Sequence, residues 1–240
     1  MKALVLAGGK GTRLKPYTTV FPKPLLPVGD YPILEIILKQ LKQAGVDEVI
    51  LAVGHMAQLF EAFFQDGRRL GLKIRYSFEE QSLGTAGPIA PVLGQLGKDF
   101  IIMNGDLLTT LDYCRLFNFH RERQAAGTIA IYRREVKIDF GIVESSADQL
   151  LERYVEKPTY YYDFGMGVNV LNADAVAKYL TRSEYLDLPV LMTKLKDEGQ
   201  PVYCYRENCY WLDMGRPDDY QKATEVFEAR QNDFLPVVSQ

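Results

Sequence analysis

Three apolar runs, each closed by a glycine, constrain the fold of this chain more than any other feature: "KALVLA" from Lys2, "EVILAVG" from Glu48 and "DFIIMNGD" from Asp99. Each is apolar at successive positions rather than alternate ones, the pattern of a strand buried on both faces of a parallel sheet. Helical patterns separate them. "PILEIILKQLKQAG" has Pro32 near its start, apolar Ile33, Ile36, Ile37 and Leu41 along one face, and Gly45 as a stop. "AQLFEAFFQDG" repeats the design with Leu59, Phe60, Phe63 and Phe64. Strands and helices in alternation predict an α/β fold: an open, mostly parallel, Rossmann-like sheet with helices on both faces and right-handed crossovers.

From about residue 127 the pattern shifts to short strand-like stretches, "GTIAIYRR", "FGIVES", "LLERYVEK" and "FGMGVNVL". They predict a smaller mixed β lobe, with helices to follow at "DAVAKYL", "DLPVLMTKLKDEG" and "PDDYQKATEVFEARQ". No repeat, low-complexity segment or linker interrupts the chain, so its 240 residues read as one domain with two lobes. The net charge of -3 offers no footprint for nucleic acid. No apolar run approaches the roughly 18 residues of a bilayer span, and "MKALVLAGG" lacks the apolar core of a signal peptide. Cys114, Cys204 and Cys209 are scattered, without a CxxC pair, which fits a reduced, cytoplasmic setting. His55 and His120 are too few for a histidine metal site or relay, and both read as surface or helix-end residues.

The loop after the first strand is unusual. "LAGGKGTRLKPYTTVFPKPLLPV", Leu6 to Val28, combines Gly8, Gly9 and Gly11 with Arg13, Lys15 and Lys23, stiffened by Pro16, Pro22, Pro24 and Pro27. Glycine lets a ligand approach backbone N–H groups, the chemistry of a phosphate site. A Walker A loop is excluded because Gly9-Lys10 is followed by Gly11 instead of Ser or Thr. A Rossmann fingerprint is excluded because Leu14 stands where the third glycine belongs. Arg13 and Lys23 would repel each other beside such a loop unless a polyanion lay between them.

With the residues that follow, "GDYPIL", the stretch resembles the signature of the sugar-phosphate nucleotidyltransferases, the NDP-sugar pyrophosphorylases. "LGTAGP" (83–88), "NGD" (104–106), "FGIV" (140–143), "VEKP" (155–158) and "YWLDMGRPDDY" (210–220) recur in the family's order. The resemblance implies an enzyme that joins a nucleoside triphosphate to a sugar 1-phosphate and releases pyrophosphate. Attack on the α-phosphorus would be direct and in line. Residues 1–126 would form mainly the nucleotide half, 127–215 the sugar lobe and 216–240 a C-terminal helix and tail. Arg13 would hold the triphosphate, and Lys23 the α-phosphate or the incoming sugar phosphate. Asp106 and Asp213 would hold Mg²⁺, a hard ion suited to carboxylate and phosphate oxygens. A sugar phosphate arrives ionised, so no general base is needed.

By the same resemblance Leu6, Ala7, Gly8, Gly9, Gly11, Thr12, Gly84, Thr85 and Ala86 line the nucleotide pocket. Asn104, Gly141, Glu156, Lys157, Gly167 and Asn169 join Lys23 on the sugar-phosphate side. One stretch departs: many relatives carry an Asn-Ala-Gly-Ile-Tyr type sequence where this chain has "GMGVNV", in which Gly167 matches but Gly165 and Asn169 do not. Mannose, a manno-heptose, glucose and an amino sugar therefore stay open. Lys10 and Lys15 fall at loose positions of the motif and read as solvated cations. "YYYDF" (160–164) reads as core or interface packing.

"FEEQSLGTAGPIA" is similar to the version in mannose 1-phosphate guanylyltransferases. The carboxylate of Glu79 or Glu80 can accept both N1–H and the exocyclic amine of guanine, whereas thymine or uracil offers one N–H between carbonyls. GTP is favoured over UTP, dTTP and CTP. The tail resembles short guanylyltransferases acting on mannose or heptose 1-phosphate, with no room for an appended left-handed β-helix. The family implies a homodimer or homotetramer. A silent NDP-sugar-binding regulator is the reading from another class, opposed by intact Arg13, Lys23, Asp106 and Asp213.

Overall fold

Successive residues of β1 (Lys2–Leu6) feed two different cores in the computed structural model, which describes residues 1–235. Ala3 and Val5 join one apolar cluster and Leu4 the other, because alternate strand residues point to opposite faces. β4 (Glu48–Val53) divides the same way, Val49, Leu51 and Val53 against Ile50 and Ala52. Each fully buried Leu, Ile or Phe contributes about 1.5–3 kcal/mol, so only a sheet covered on both sides uses such strands. Residues 236–240, the end of the expected tail, lie outside the described residues.

The proline-rich loop after β1 folds into short 3₁₀ turns and a small hairpin of β2 (Pro27–Val28) and β3 (Tyr31–Pro32). Then come α1 (Ile33–Gln43), β4, α2 (Ala57–Phe64), β5 (Lys73–Phe78), α3 (Leu93–Leu96), β6 (Asp99–Asn104), β7 (Leu107–Thr109) and α4 (Tyr113–Glu122). The second half runs β8 (Gly127–Lys137), β9 (Ile142–Ser145), β10 (Leu151–Val155), β11 (Thr159–Asn172), α5 (Ala173–Val176), α6 (Leu188–Asp197), β12 (Val202–Arg206), β13 (Trp211–Asp213), α7 (Pro217–Ala229) and α8 (Gln231–Phe234). Apolar faces of α1, α2, α4, α7 and α8 cover one side of the sheet, and α3, α5 and α6 the other.

The seven-stranded sheet has the order β12-β8-β11-β6-β1-β4-β5, and β11 alone runs antiparallel to its neighbours. The expected α/β architecture is present, but the second half is less separate than its sequence suggests. β8, β11 and β12 extend the main sheet, while the β9–β10 hairpin stands apart from it and β13 pairs with β7 in a separate two-stranded sheet. β5 went unread because "KIRYSF" exposes Lys73 and Arg75 and buries Ile74, as an edge strand does. His120 lies near the end of α4 as expected of a helix-end residue, yet it is 1% exposed, not on the surface. Its Nδ1 lies 2.8 Å from the Thr128 hydroxyl, and burial holds its pKa below the ordinary imidazole value. The aromatic run 160–164 is mostly open to solvent: Tyr161, Tyr162 and Phe164 are all exposed. No helix among the described residues is long and apolar enough to cross a membrane.

Candidate active site

β1, β4, β5 and β6 all end at one edge of the sheet, and the chain passes from β5 back across β1 to reach β6. Such a reversal leaves a crevice outside the carboxyl ends of the strands, where ligands bind in open α/β sheets. A cleft of about 780 Å³ occupies this place. Its wall includes Leu6, Ala7, Gly8, Gly9, Gly11, Thr12 and Arg13 from the loop after β1. Glu79, Glu80, Gly84 and Thr85 continue the wall, and Lys23, Asn104 and Asp106 line it too.

Proline governs how Lys23 enters. Pro22 is extended, Pro24 lies within the 3₁₀ turn Lys23–Leu25, and the turn carries Lys23 inward until only 8% of it is exposed. Its Nζ lies 2.5 Å from Asp106 Oδ2 and 3.3 Å from Asp213 Oδ1. The two acids, remote in sequence, converge because β7 pairs with β13, setting Asp213 opposite Leu107, the neighbour of Asp106. Burial drives the Asp106 carboxyl upward in pKa; Lys23 pulls it down and Asp213 pushes it further up. The repulsion expected between Arg13 and Lys23 is thus already eased by these carboxylates.

Two acids converging on one ammonium leave a net negative charge around Lys23. That donor set suits a divalent cation with hard oxygen preference that completes its shell with water and phosphate. Among the described residues no group of three or more His, Cys, Asp or Glu gathers as a metal cage. Gly11 packs beside Lys23: its φ is +59°, and a Cβ there would press within 2.9 Å of Thr18 Cγ2 and 3.2 Å of Lys23 Cβ. Thr18 in turn donates its hydroxyl to Gly11 O at 2.8 Å.

At the other end Glu79 packs against Gly8, where a Cβ would fall 3.2 Å from Glu79 Oε1. Partial burial raises the Glu79 carboxyl above its usual pKa, offset in part by a backbone hydrogen bond at Leu83. Gly84 has φ +76° and tucks beneath the segment before α6, a Cβ there meeting Leu186 O at 2.5 Å. Ala86, expected in the pocket, is instead fully buried behind it and donates its N–H to Leu186 O at 2.8 Å.

The expected sugar-side residues divide. Asn104 bounds the cleft, and Gly167 backs it, a Cβ there falling 2.7 Å from Asn104 Nδ2. Gly141 and Glu156 meet across the β9–β10 hairpin, where a Cβ on Gly141 would lie 2.9 Å from Glu156 Oε2 and 2.6 Å from the Tyr154 hydroxyl. That hairpin and the exposed Lys157 are not part of the cleft wall. Asn169 is buried in the sheet between Ile102 and Ile129 rather than at the cleft.

Other residues reach the cleft without having been singled out for it: Gly54, Gln81, Ser82, Tyr185, Asp187 and Gly215. Lys10, read as a solvated cation, and His55, read as a surface or helix-end residue, are both exposed and line it as well. Gly54 closes the strand run "EVILAVG", so its place was implicit there; Tyr185 and Asp187 carry no local signal. They arrive because Leu186 N donates to Leu83 O, docking one loop on another.

The family model for nucleotidyl transferase matches residues 2–230. A mannose-1-phosphate guanylyltransferase of Mycobacterium tuberculosis is 37% identical over 228 residues, 92% of this chain and 63% of that protein. A UTP–glucose-1-phosphate uridylyltransferase of Synechocystis is 32% identical, over 96% of this chain and 64% of that protein. The chain therefore spans less than two thirds of the length of these curated relatives. Among solved structures, HddC from Yersinia pseudotuberculosis complexed with GMP-PN superposes with a TM-score of 0.69 at 25% identity, covering 94% of this chain and 99% of that one. A putative glucose-1-phosphate thymidylyltransferase from Bacillus anthracis shares the fold at a TM-score of 0.75, with 22% identity and 94% of each chain covered. The motif order, the cleft at the strand ends and these matches agree: the chain belongs to the nucleotidyl transferase family.

Proposed function

We propose that this chain transfers a nucleotidyl group from a nucleoside triphosphate, GTP by preference, to a sugar 1-phosphate of mannose or manno-heptose type, releasing pyrophosphate. The observation that carries the reading is the convergence of Asp106 and Asp213 on the buried ammonium of Lys23, beside the glycine loop that bears Arg13. In this reaction a sugar-phosphate oxygen forms a bond to the α-phosphorus while the bond from that phosphorus to the pyrophosphate oxygen breaks. No proton has to move, so charge and position supply the rate.

Arg13 offers a planar fork to the triphosphate. Lys23, fixed before any ligand arrives, presents its charge without reorganisation where the two anions meet. Asp106 and Asp213 would hold Mg²⁺, which when bound supplies Lewis-acid neutralisation of phosphate oxygens. Glu79, beside Gly8, accepts the N–H pair of guanine, with Glu80 next to it on the rim. Asn104 faces the sugar phosphate, and Gly141 with Glu156 receives sugar hydroxyls when the β9–β10 hairpin meets the substrate. The reading includes a homodimeric or homotetrameric assembly in the cytoplasm.

A second reading keeps the chemistry with UTP and glucose 1-phosphate, favoured by the uridylyltransferase relative that matches almost the whole chain. Pyrophosphate release with each triphosphate against mannose, heptose, glucose and amino-sugar 1-phosphates separates the two. GTP with a mannose-type phosphate is expected to give the highest kcat/KM. Highest activity with UTP would favour the second reading, and no release with any pair would favour a non-catalytic NDP-sugar-binding subunit.

A further inference from the structure

Tyr185 is the only Phe, Tyr or Trp among the described residues lining the cleft. It lies in the segment between α5 and α6, is 64% exposed, and has no ring partner among the described aromatic contacts. An exposed aromatic ring on a loop would ordinarily be mobile. This one is tethered: its hydroxyl donates to Asp187 Oδ2 at 2.8 Å. The other oxygen of the same carboxylate accepts from the N–H of Thr85 at 3.0 Å and from the Thr85 hydroxyl at 3.2 Å. Thr85 Oγ1 accepts in turn from Leu188 N at 2.7 Å, at the start of α6.

One carboxylate therefore ties the ring to the loop that bears Glu79, Glu80, Gly84 and Thr85. Ala86 and Gly87 both donate to Leu186 O, so backbone hydrogen bonds join the two loops as well. A ring that bounds a cleft, with no aromatic partner and with its hydroxyl held by Asp187 in the same wall, has its π faces free for a planar group that enters. From this geometry we infer that Tyr185 is a stacking platform for the nucleobase, with Asp187 as the positioning residue that fixes it against the Gly84–Thr85 loop. The inference rests on the nucleotidyl-transfer reading and deepens it by dividing two jobs. Glu79 selects among bases by hydrogen bonding, whereas Tyr185 grips any base, since every base has a π face.

Calorimetric titration of wild type, Tyr185→Phe and Tyr185→Ala with GTP, UTP and inorganic tripolyphosphate tests this. The Ala variant should bind both nucleotides roughly 5- to 150-fold more weakly than wild type, the range of one base–aromatic stack. Its affinity for tripolyphosphate, which has no base, should not change. The Phe variant keeps the ring and loses only the tether, so its loss should be smaller than that of Ala. Wild-type affinity for GTP in the Ala variant would overturn the platform while leaving the reaction intact. An equal loss for tripolyphosphate would also overturn it, because the ring would then serve the loop and not the base. A wild-type protein that binds no nucleoside triphosphate would remove the nucleotidyl-transfer reading, and the platform with it.

Discussion

Gly84→Ala should damage this protein more than any other single methyl addition to the cleft wall. At φ +76° an L side chain is strained by about 1–2 kcal/mol. The added Cβ would sit 2.5 Å from Leu186 O and 2.9 Å from Asp187 Oδ1 and Leu186 C, so backbone has to move. Leu186 O accepts two hydrogen bonds, from Ala86 N at 2.8 Å and Gly87 N at 3.0 Å. Losing both removes about another 2 kcal/mol, at about 1 kcal/mol for each. The sum, about 3–4 kcal/mol, would lower the melting temperature of a chain this size by about 6–16 °C. Thermal unfolding by circular dichroism reads it directly, and steady-state kinetics should give a raised nucleotide KM with a smaller change in kcat. Gly94→Ala in α3 is the control, because a Cβ there meets nothing within 4 Å, and its melting point should hold or rise slightly. A Gly84→Ala protein melting within about 2 °C of wild type would refute the reasoning, since two docked loops cannot absorb that contact at no cost.

Three further outcomes follow from the same geometry. Lys23→Met should reduce turnover by about 100- to 1000-fold, the usual effect of removing one preorganised charge partner, read as pyrophosphate release. Glu79 has its pKa raised by burial, and its carboxylate is the acceptor for the base. GTP affinity should therefore fall as pH drops through that raised pKa, and Glu79→Gln should flatten the profile. His120 resists protonation in the folded state, while the unfolded imidazole takes a proton near pH 6.5. Below that pH the unfolded chain binds more protons, so stability falls as pH falls. Urea unfolding at pH 8 and pH 5.5 should show a shallower loss for His120→Gln than for wild type.

The sheet and its helices were readable because burial on both faces leaves continuous apolar runs, and amphipathic helices leave spaced ones. Gly8, Arg13 and Lys23 were readable as a candidate phosphate loop because glycines and cations crowd one short stretch after a strand, whereas Asp106, like Asp213, was named through resemblance. The position of Asp213 depends on the β7–β13 pairing, which no local pattern announces. Tyr185 and Asp187 escaped notice for the same reason, since hydrogen bonds between distant loops make them part of the cleft. Ala86 shows the opposite case: a motif residue can anchor the loop from outside the cleft wall. Asn169 was assigned by position in a stretch that departs from its relatives, and the sheet holds it away from the cleft.

The most direct measurement is a crystal structure of the protein with a non-hydrolysable GTP analogue and Mg²⁺. The α-phosphate is expected beside Lys23, with Asp106 and Asp213 on the metal and the guanine edge facing Glu79. A well-ordered nucleotide bound anywhere else, with Lys23 still closed on both acids, would contradict the central claim.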